Sequence, residues 1–455
     1  MPDLVIHPAA APLVGSVPVP GDKSIAHRAI LLAGIPSGKS RVEGGALGED
    51  NVATLGALRA MGVAATEEEG GALVIEGKGI DGLSAPAAPI DCGNSGTTMR
   101  LLAGVLAAQR FASVLVGDAS LSRRPMERVA RPLRLRGARI EGRIDPKRPG
   151  DITAPLTIGP LPAPHVLGPL AYELPVASAQ VKSAALLSGL WADGPTYVRE
   201  PLVSRDHTER LLCALGVPLR SMGAMVELDG GAWSGELPAF EIRVPGDLSA
   251  AAFLIVAAQI VPGSRVDVRR VGLNPTRTGL LEILREMGGA LQTEAQGDEL
   301  GEPLGHLHAA ASALAATRTG GERVTRAIDE VPILCALAAR ARGVTLITDA
   351  AELRVKESDR IASMAGVLRA FGVRCEEQAD GLTIEGVPDR PLTAATIASG
   401  GDHRVAMTAA VLGLVADGPT RVLDAACIAT SFPRFVGTMR ALGARVEVER
   451  GEGEA

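Results

Sequence analysis

The sequence predicts an α/β protein of two domains, built from six βαβαββ repeat units, three per domain, with buried helices. Three observations support this prediction. A phrase in which Leu or Met precedes Gly by four residues returns six times, with its glycines 71 to 84 residues apart. An apolar helix pattern rich in small residues precedes each phrase, and strand and hairpin patterns follow it. Six nearly equal units account for all 455 residues.

Each phrase ends an amphipathic helix. Leu280, Ile283, Leu284 and Met287 have the i, i+3, i+4, i+7 spacing of a helix with one apolar face. The glycine that follows is predicted to be the C′ residue, where a positive φ terminates a helix. The six predicted C′ glycines are Gly62, Gly137, Gly216, Gly288, Gly372 and Gly443.

A second type of helix precedes each amphipathic one. It begins near Gly, Ser, Asp or Glu and has little polar surface beyond its first turn, so we expect it to be buried with only its N-terminal end accessible. We call that end, with its flanking residues, the helix mouth. The predicted buried helices are residues 21–34, 93–104, 178–189, 246–261, 330–343 and 402–413.

Two similar stretches indicate where the domains meet. Residues 20–24 read Pro-Gly-Asp-Lys-Ser, and residues 245–249 read Pro-Gly-Asp-Leu-Ser, half of the repeat series away. We interpret them as crossings between a domain of residues 21–244 and a domain of residues 1–20 with 245–455. The active site is expected in the interdomain cleft, ringed by helix mouths. Free N–H groups and the helix dipole make an anion the expected guest there.

Composition excludes several classes of function. A net charge of −6 and only 2% aromatic residues argue against a nucleic-acid partner. The five cysteines are scattered and never form a C-x-x-C pair, which argues against a metal site or a disulfide framework. No apolar run has membrane-spanning length, and the N-terminal residues lack a basic region. We expect a cytoplasmic monomer with no metal, no cofactor and no membrane association.

Ligand-capable side chains recur at the helix mouths. Each stretch taken alone could equally be a capped surface helix with solvated charges. Capping alone would not, however, place a different ligand-capable group at each of five mouths, so the pattern predicts a multiply anionic substrate. The five residues are Lys23, Asn94, Gln180, Asp329 and Arg404.

Two further stretches carry cations of ambiguous role. Gln180 and Lys182 are polar on an otherwise apolar helix, which favours a functional role for both. Arg124 belongs to an Arg-rich run before a helix predicted to begin at Pro125. A solvated basic face is the commoner fate of such a run. An Arg fork that binds phosphate or carboxylate is the alternative.

Five motifs, spread over almost the whole chain, resemble the 5-enolpyruvylshikimate-3-phosphate (EPSP) synthase family. They are Pro-Gly-Asp-Lys-Ser-x-x-His-Arg at 20–28, Gly-Asn-Ser-Gly-Thr at 93–97, Gly-Asp-Ala-Ser-Leu-Ser-Arg-Arg-Pro-Met at 117–126, Leu-Arg-Val-Lys-Glu-Ser-Asp-Arg at 353–360 and Asp-His-Arg-x-Ala-Met at 402–407. Stretches 178–182, 205–209 and 274–277 are similar to the class II bacterial branch, which has glyphosate-tolerant members. The resemblance implies the two-domain enolpyruvyl transferase fold.

The resemblance also implies an activity in the shikimate pathway of aromatic amino-acid biosynthesis. The enolpyruvyl group of phosphoenolpyruvate would move to the 5-hydroxyl of shikimate 3-phosphate by addition and elimination, with no metal or cofactor. The implied residues for shikimate 3-phosphate are Lys23, Ser24, Arg28, Ser178, Ala179, Gln180, Arg205, Asp329 and Lys356. Those for phosphoenolpyruvate are Lys23, Gly96, Arg124, Gln180, Arg360 and Arg404.

Three of these residues receive catalytic roles. Asp329 is the candidate base for the attacking hydroxyl, and Glu357 is the candidate acid for the methylene carbon, assisted by Lys23. Two carboxylates can hold opposite protonation states when their environments differ. Arginines 124, 360 and 404 would neutralise phosphate and carboxylate and stabilise the charge that develops in the transition state.

The sequence departs from the family pattern in its last loop, where many members have Lys and this chain has Thr430. That phosphate contact is therefore not expected. Glyphosate-tolerant class II enzymes can have Ala at the position of Gly96, where the methyl group crowds the inhibitor. Gly96 leaves the space open, so we expect glyphosate to inhibit this enzyme and tolerance to be lower than in Ala-bearing relatives.

Two alternatives come from different classes. The related UDP-N-acetylglucosamine enolpyruvyl transferases usually have a reactive Cys in a mobile loop, and the corresponding residues 121–126 contain none. A non-catalytic anion- or RNA-binding repeat protein is disfavoured by the acidic charge and the scarcity of aromatic residues.

Overall fold

We describe the chain from a computed structural model that covers residues 2–44 and 48–450. The chain separates into two compact units, each with its own apolar core. The middle unit consists of Gly21–Val244 and Asp298–Glu302. The terminal unit consists of Met1–Pro20, Pro245–Gly297 and Pro303–Ala455. No sequence pattern had set the segment Asp298–Glu302 apart from its surroundings.

With the exception of the five-residue helix Gly321–Thr325, which the sequence did not predict, the α-helices of the described residues fall into two types, buried and amphipathic, as the sequence predicts. In chain order they are α1 (Lys23–Ala33), α2 (Glu49–Ala60), α3 (Gly96–Leu106), α4 (Glu127–Leu135), α5 (Ala179–Gly189), α6 (His207–Ala214), α7 (Leu248–Ile260), α8 (Gly279–Glu286), α9 (Gly321–Thr325), α10 (Val331–Arg340), α11 (Arg360–Ala370), α12 (His403–Gly413) and α13 (Phe435–Ala441).

The strands are short and all belong to sheets. In chain order they are β1 (Pro2–Ile6), β2 (Val14–Pro18), β3 (Ser37–Glu43), β4 (Ala64–Glu67), β5 (Leu73–Lys78), β6 (Ile90–Asp91), β7 (Ser113–Val116), β8 (Ile140–Ile144), β9 (Ile152–Ile158), β10 (Leu170–Glu173), β11 (Pro195–Arg199), β12 (Leu219–Met222), β13 (Met225–Asp229), β14 (Glu241–Arg243), β15 (Arg265–Gly272), β16 (Ala290–Glu299), β17 (Glu302–Ala310), β18 (Arg318–Thr319), β19 (Val344–Ile347), β20 (Arg374–Gln378), β21 (Gly381–Glu385), β22 (Thr396–Ala398), β23 (Thr420–Leu423) and β24 (Val446–Arg450).

Within the described residues these strands form six four-stranded sheets of similar order. Each sheet contains one parallel pair and continues with an antiparallel neighbour, as in β14-β3-β5-β4 and β22-β23-β1-β24. β14 returns to pair with β3 within the middle unit, while β1 and β2 join sheets of the terminal unit. The N-terminal residues therefore belong with the second half of the chain.

The buried helices are α1, α3 and α5 in the middle unit and α7, α10 and α12 in the terminal unit. All thirteen residues of α7 are buried. Small residues allow these helices to approach closely: a Cβ added to Gly104 of α3 would lie 2.4 Å from the carbonyl oxygen of Ala184 of α5. This close approach explains why the pattern is rich in Gly and Ala.

Glycine ends each amphipathic helix as predicted. Gly62, Gly137, Gly216, Gly288, Gly372 and Gly443 all have positive φ, from 72° to 107°. Several predicted helix bounds were wrong by one to three residues. α4 begins at Glu127 and not at Pro125, α3 spans Gly96–Leu106 and not 93–104, and α10 spans Val331–Arg340 and not 330–343. Arg124 has extended backbone after a 3₁₀ turn, and Met126 is the first residue to accept a helical bond, from Ala130.

Every helix of residues 2–44 and 48–450 is too short or too polar to span a membrane.

Candidate functional site

The mouth of α1 brings Lys23 against an aspartate that sequence reasoning missed. Asp22 caps the helix by accepting a hydrogen bond from the backbone N–H of Ile25 at 3.0 Å. Lys23 Nζ lies 2.8 Å from Oδ2 of Asp50, in the first turn of α2. No motif marks Asp50. Its 27-residue separation from Lys23 is bridged only when α1 and α2 pack together.

Arg28 lies inside the middle unit. Its guanidinium donates to Thr208 Oγ1 at 2.7 Å, to Ser183 Oγ at 2.8 Å and to the carbonyl oxygen of Ser24 at 2.8 Å. Burial lowers its pKa to about 10, so it remains a cation at neutral pH. These bonds tie α1 to α5 and α6 and place a fixed positive charge behind the mouth of α1. A direct contact of Arg28 with a ligand stays a prediction.

A second cluster forms at the mouths of α3 and α5. Arg124 Nη2 donates to Asn94 Oδ1 at 2.6 Å, and Asn94 Nδ2 donates to Asp118 Oδ2 at 2.6 Å. A Cβ added to Gly96 would lie 3.2 Å from Nη1 of both Arg124 and Arg100. Two guanidinium groups therefore border the open face of Gly96, a geometry suited to a small dianion.

Arg100 is a member of this cluster that sequence reasoning missed. Its Nη1 donates to Oε1 of Gln180, and Gln180 Nε2 donates to Thr97 Oγ1 at 2.9 Å. Arg100 lies one helical turn after Gly96, and that i, i+4 spacing was the available signal. The structure thus brings four predicted residues, Asn94, Gly96, Arg124 and Gln180, together with Arg100.

The mouth of α5 and the following loop carry the other predicted residues of the middle unit. Ser178 caps α5 by accepting from the N–H of Val181, and Ala179 is its first residue. Arg205 is half-buried in the loop before α6. The neighbouring Ser204 donates to Glu200 through its N–H at 2.7 Å and its hydroxyl at 2.5 Å, which anchors that loop.

Lys182 is structural, contrary to the functional role that its polar character favoured. Its Nζ lies 3.2 Å from Glu200 Oε2 and 2.8 Å from Glu209 Oε1, with all three side chains buried. Burial opposes the charged form, but Glu209 and Glu200 hold the pKa of Lys182 above its usual value. Lys182 therefore neutralises two buried carboxylates inside the middle unit and is not available to a ligand.

Replacing Lys182 with Met is expected to destabilise the protein by about 3–5 kcal/mol, because Glu200 and Glu209 would stay buried without a counter-charge. Thermal unfolding should show a fall in Tm of about 10 °C. The deficit should shrink as the pH falls, because burial raises the pKa of Glu209 and its protonation removes one buried charge. Lys147→Met removes an exposed lysine of the same unit and should shift stability by less than about 0.5 kcal/mol. Equal Tm values for the two variants would contradict the assignment.

In the terminal unit, Asp329 lies among three predicted cations. It belongs to the 3₁₀ turn Ile328–Glu330 before α10. Its Oδ1 lies 3.4 Å from Arg360 Nη1 and 3.8 Å from Lys356 Nζ, and its Oδ2 lies 4.0 Å from Arg404 Nη2. The carbonyl oxygen of Asp329 accepts from Arg404 Nη1 at 2.8 Å. The side chain is largely shielded, with 13% exposed.

Arg360 is the centre of this cluster. Its Nη2 lies 2.7 Å from Glu357 Oε2, and its Nε lies 2.8 Å from Oδ2 of Asp402, which also caps α12. Although burial opposes the charge, Glu357, Asp402 and Asp329 raise the pKa of Arg360. Burial alone would raise the pKa of Asp402, but Arg360 holds it below its usual range. All five predicted residues of this unit are brought together around Arg360.

Asp402 and Ser358 are further members that the predicted site omitted. Ser358 Oγ donates to Asp402 Oδ2 at 2.9 Å. Ser358 lies in the motif at 353–360 and Asp402 in the motif at 402–407, each within two residues of a predicted site residue. That closeness in sequence could have identified them as members of the site. Thr430 ends the 3₁₀ helix Ala425–Thr430 and contributes no cation there.

The cations that each unit concentrates at its helix mouths are suited to bind anions, and two carboxylates of the terminal unit lie beside them. The middle unit concentrates Lys23, Arg28, Arg100 and Arg124, and the terminal unit concentrates Lys356, Arg360 and Arg404. Asp329 and Glu357 are partly accessible carboxylates that can exchange protons. The described residues contain no group of three or more His, Cys, Asp or Glu that could hold a metal ion.

Comparison with known proteins points to one family. Residues 8–439 match the family described as EPSP synthase (3-phosphoshikimate 1-carboxyvinyltransferase). The chain is 51% identical to the 3-phosphoshikimate 1-carboxyvinyltransferase of Geobacter sulfurreducens, with 98% of this chain and 100% of that protein covered. It is 49% identical to the enzyme of the same name from Acidithiobacillus ferrooxidans, with 96% and 97% covered.

Solved structures agree with this result. The EPSP synthase of Acinetobacter baumannii matches with a TM-score of 0.88 at 44% identity, covering 99% of this chain and 100% of that one. The enolpyruvyl transferase NikO of Streptomyces tendae matches with a TM-score of 0.75 at 18% identity, covering 98% and 99%. The second match shows the fold alone, and together they confirm the predicted enolpyruvyl transferase fold class.

Proposed function

The chain belongs to the EPSP synthase family, and from that premise we propose which of its residues carry the reaction. The enzyme transfers the enolpyruvyl group of phosphoenolpyruvate to the 5-hydroxyl of shikimate 3-phosphate, and phosphate is released. The alternative acceptor, UDP-N-acetylglucosamine, is not favoured, because the relatives reported above are named for the shikimate substrate.

The single observation that carries the proposal is the cluster around Asp329. The Asp329 carboxylate lies 3.4–4.0 Å from Arg360, Lys356 and Arg404, and nearby cations favour the ionised form of a carboxylate, the form that a base requires. Asp329 would therefore accept the proton of the 5-hydroxyl as its oxygen attacks C2 of phosphoenolpyruvate. Glu357 lies 2.7 Å from Arg360, which also favours its ionised form, so Arg360 would first have to turn from Glu357 to the anionic substrate. Glu357 would then carry a proton and donate it to the methylene carbon, with Lys23 assisting.

The same groups account for the second half of the reaction. The first half yields a tetrahedral intermediate in which the former methylene carbon carries an extra proton. Glu357, now a carboxylate, would take a proton back from that carbon as the C–O bond to phosphate breaks, which restores the double bond. The leaving phosphate would take up the proton held by Asp329. Arg124, Arg360 and Arg404 would stabilise the phosphate and carboxylate charges throughout, without a covalent intermediate on the enzyme.

We propose substrate contacts on the same basis. Phosphoenolpyruvate would contact Gly96 and Gln180 with the cations Lys23, Arg124, Arg360 and Arg404, and the position of Arg100 beside Gly96 and Gln180 supports adding it to this set. Shikimate 3-phosphate would be bound by Lys23, Ser24, Arg28, Ser178, Ala179, Gln180, Arg205, Asp329 and Lys356.

The activity is tested by phosphate release. Phosphate should appear from phosphoenolpyruvate only when shikimate 3-phosphate is also present, and neither substrate alone should suffice. Release with UDP-N-acetylglucosamine in place of shikimate 3-phosphate, or no release with the expected pair, would contradict the assignment. A cytoplasmic location and a monomeric state remain predictions; light scattering on a sizing column tests the second.

Gly96→Ala is expected to raise the inhibition constant for glyphosate by about 10- to 100-fold, with a smaller rise in KM for phosphoenolpyruvate. The added methyl group would lie 3.2 Å from the guanidinium nitrogens of Arg100 and Arg124, where the inhibitor is proposed to bind. Crowding of this size costs about 1–3 kcal/mol. Steady-state inhibition against phosphoenolpyruvate measures the change.

Gly56→Ala is the matched control. Gly56 lies on the exposed face of α2 in the same unit, and a Cβ added there meets nothing within 4 Å. It should leave the inhibition constant unchanged and stabilise the helix slightly. An unchanged constant in Gly96→Ala would exclude Gly96 from the inhibitor site.

A further inference from the structure

The mouth of α7 is the one buried-helix mouth to which no ligand-binding residue is assigned, and it holds a buried polar network. Arg277 Nη2 lies 2.8 Å from Ser249 Oγ, 3.3 Å from Asp247 Oδ1 and 3.6 Å from Glu330 Oε1. The Ser249 hydroxyl also donates to Glu330 Oε1. All four side chains are buried, and Glu330 is only 1% exposed.

The four side chains of this network depend on one another for stability. Two carboxylates and one guanidinium share a volume with little access to water, and removal of one partner leaves a buried charge uncompensated. Asp247 also caps α7 by accepting from the N–H of Ser249 at 2.8 Å. The network is thereby anchored to the start of the most apolar helix of the terminal unit.

Glu330 connects this network to the reaction site. It directly follows Asp329 in the 3₁₀ turn Ile328–Glu330 and is the N-cap residue of α10. Its side chain makes no capping hydrogen bond to α10 and points instead to Ser249. The intervening peptide bond is planar and rigid, so fixing Glu330 restricts the orientation of Asp329.

The peptide group between Asp329 and Glu330 consequently has two anchors. Its carbonyl oxygen accepts from Arg404 Nη1 at 2.8 Å, and Glu330 is anchored at the mouth of α7. The Asp329 carboxylate contacts three cations at 3.4–4.0 Å. The anchored backbone contributes, together with the side-chain contacts, to where this carboxylate lies.

We propose that Glu330 is a positioning residue for the reaction, held by Ser249 and Arg277, and that it fixes Asp329 for proton removal from the 5-hydroxyl. The inference rests on the role proposed above for Asp329. Small displacements of a reacting group can cost about 100-fold in rate, so a residue that touches no substrate can control kcat.

The test combines Glu330→Gln with Asp329→Ala in a double-mutant cycle. Glutamine keeps the size of Glu330 and an oxygen for Ser249 but removes the charge facing Arg277. Alone, Glu330→Gln should lower kcat by about 10- to 100-fold with KM for both substrates changed by less than about threefold. In the Asp329→Ala background it should lower kcat by less than about twofold, because the group it positions is gone.

Two results would overturn the proposal. One is that Glu330→Gln lowers kcat by the same factor in both backgrounds, and the other is that the folded Glu330→Gln variant has wild-type kcat. If that variant does not fold, Ser249→Ala, which removes only the hydroxyl link, is measured in the same two backgrounds with the same non-additivity expected. Wild-type kcat in Asp329→Ala itself would instead reject the role of Asp329, so the two failures are distinguishable.

Glu302→Gln is the matched control. Glu302 is also 1% exposed and is paired with His207 Nδ1 at 2.7 Å in the middle unit. Its replacement should lower Tm and change kcat by a similar factor, less than about threefold, in both backgrounds. A purely structural role of Glu330 would give this additive behaviour.

Discussion

Replacing Asp329 with asparagine should lower kcat by about 100- to 10,000-fold, the usual contribution of a positioned general base. The amide keeps the shape of the side chain but has no site for the proton of the 5-hydroxyl. The amide can keep the contacts of 3.4–4.0 Å with Arg360, Lys356 and Arg404 as neutral ones, so we expect Tm to stay within a few degrees. Steady-state phosphate release and a thermal melt measure both quantities.

The pattern of the loss matters as much as its size. KM for both substrates should change little, and the acidic limb of the pH–rate profile should disappear with the base. Asp417→Asn, which removes a carboxylate that accepts from the N–H of Ala394 in the same unit, should retain kcat. An Asp329→Asn enzyme with more than about a tenth of wild-type kcat would assign the base elsewhere.

Replacing Arg360 with methionine should have the second large effect, on both activity and stability. The variant loses the guanidinium proposed for phosphoenolpyruvate and leaves Asp402 buried without its cation. We expect kcat/KM for phosphoenolpyruvate to fall by at least about 100-fold. The uncompensated carboxylate should cost about 3–5 kcal/mol of unfolding free energy.

The two effects can be separated by a second substitution. Adding Asp402→Asn to Arg360→Met removes the buried charge and should restore a large part of the lost stability, while activity stays low. Denaturant unfolding and steady-state kinetics on both variants provide the comparison. Recovery of activity together with stability would show that Arg360 serves the fold and not the substrate.

Much of the fold could be predicted because it depends on local chemistry. The C′ glycines are required by the positive φ that ends each amphipathic helix, and a local phrase is enough to find them. The buried helices are evident from runs of small apolar residues, and Gly104 shows the packing that such runs permit. The start of α4 was placed two residues early, because Pro at the first turn is favoured but not obligatory.

The residues of the candidate site also divide into those that a local pattern predicts and those that only packing brings together. Lys23, Gln180, Asp329 and Arg404 were predicted at their helix mouths, because a mouth is a local feature. Asp50, Arg100, Glu330 and Arg277 were missed as site or supporting residues. Their partners lie between 27 and 81 residues away along the chain.

By itself, the sequence determined the fold class, the two helix types and the ligand-capable groups at five mouths, since each depends on neighbours within a few turns. Only the tertiary structure decided which charges are paired inside a unit and which gather into a cluster of cations. Lys182 is buried against Glu200 and Glu209, whereas Asp329 lies 3.4–4.0 Å from three cations. The physical reason is that a charge acquires its role from desolvation and from partners brought close by packing, and neither is encoded in a local pattern.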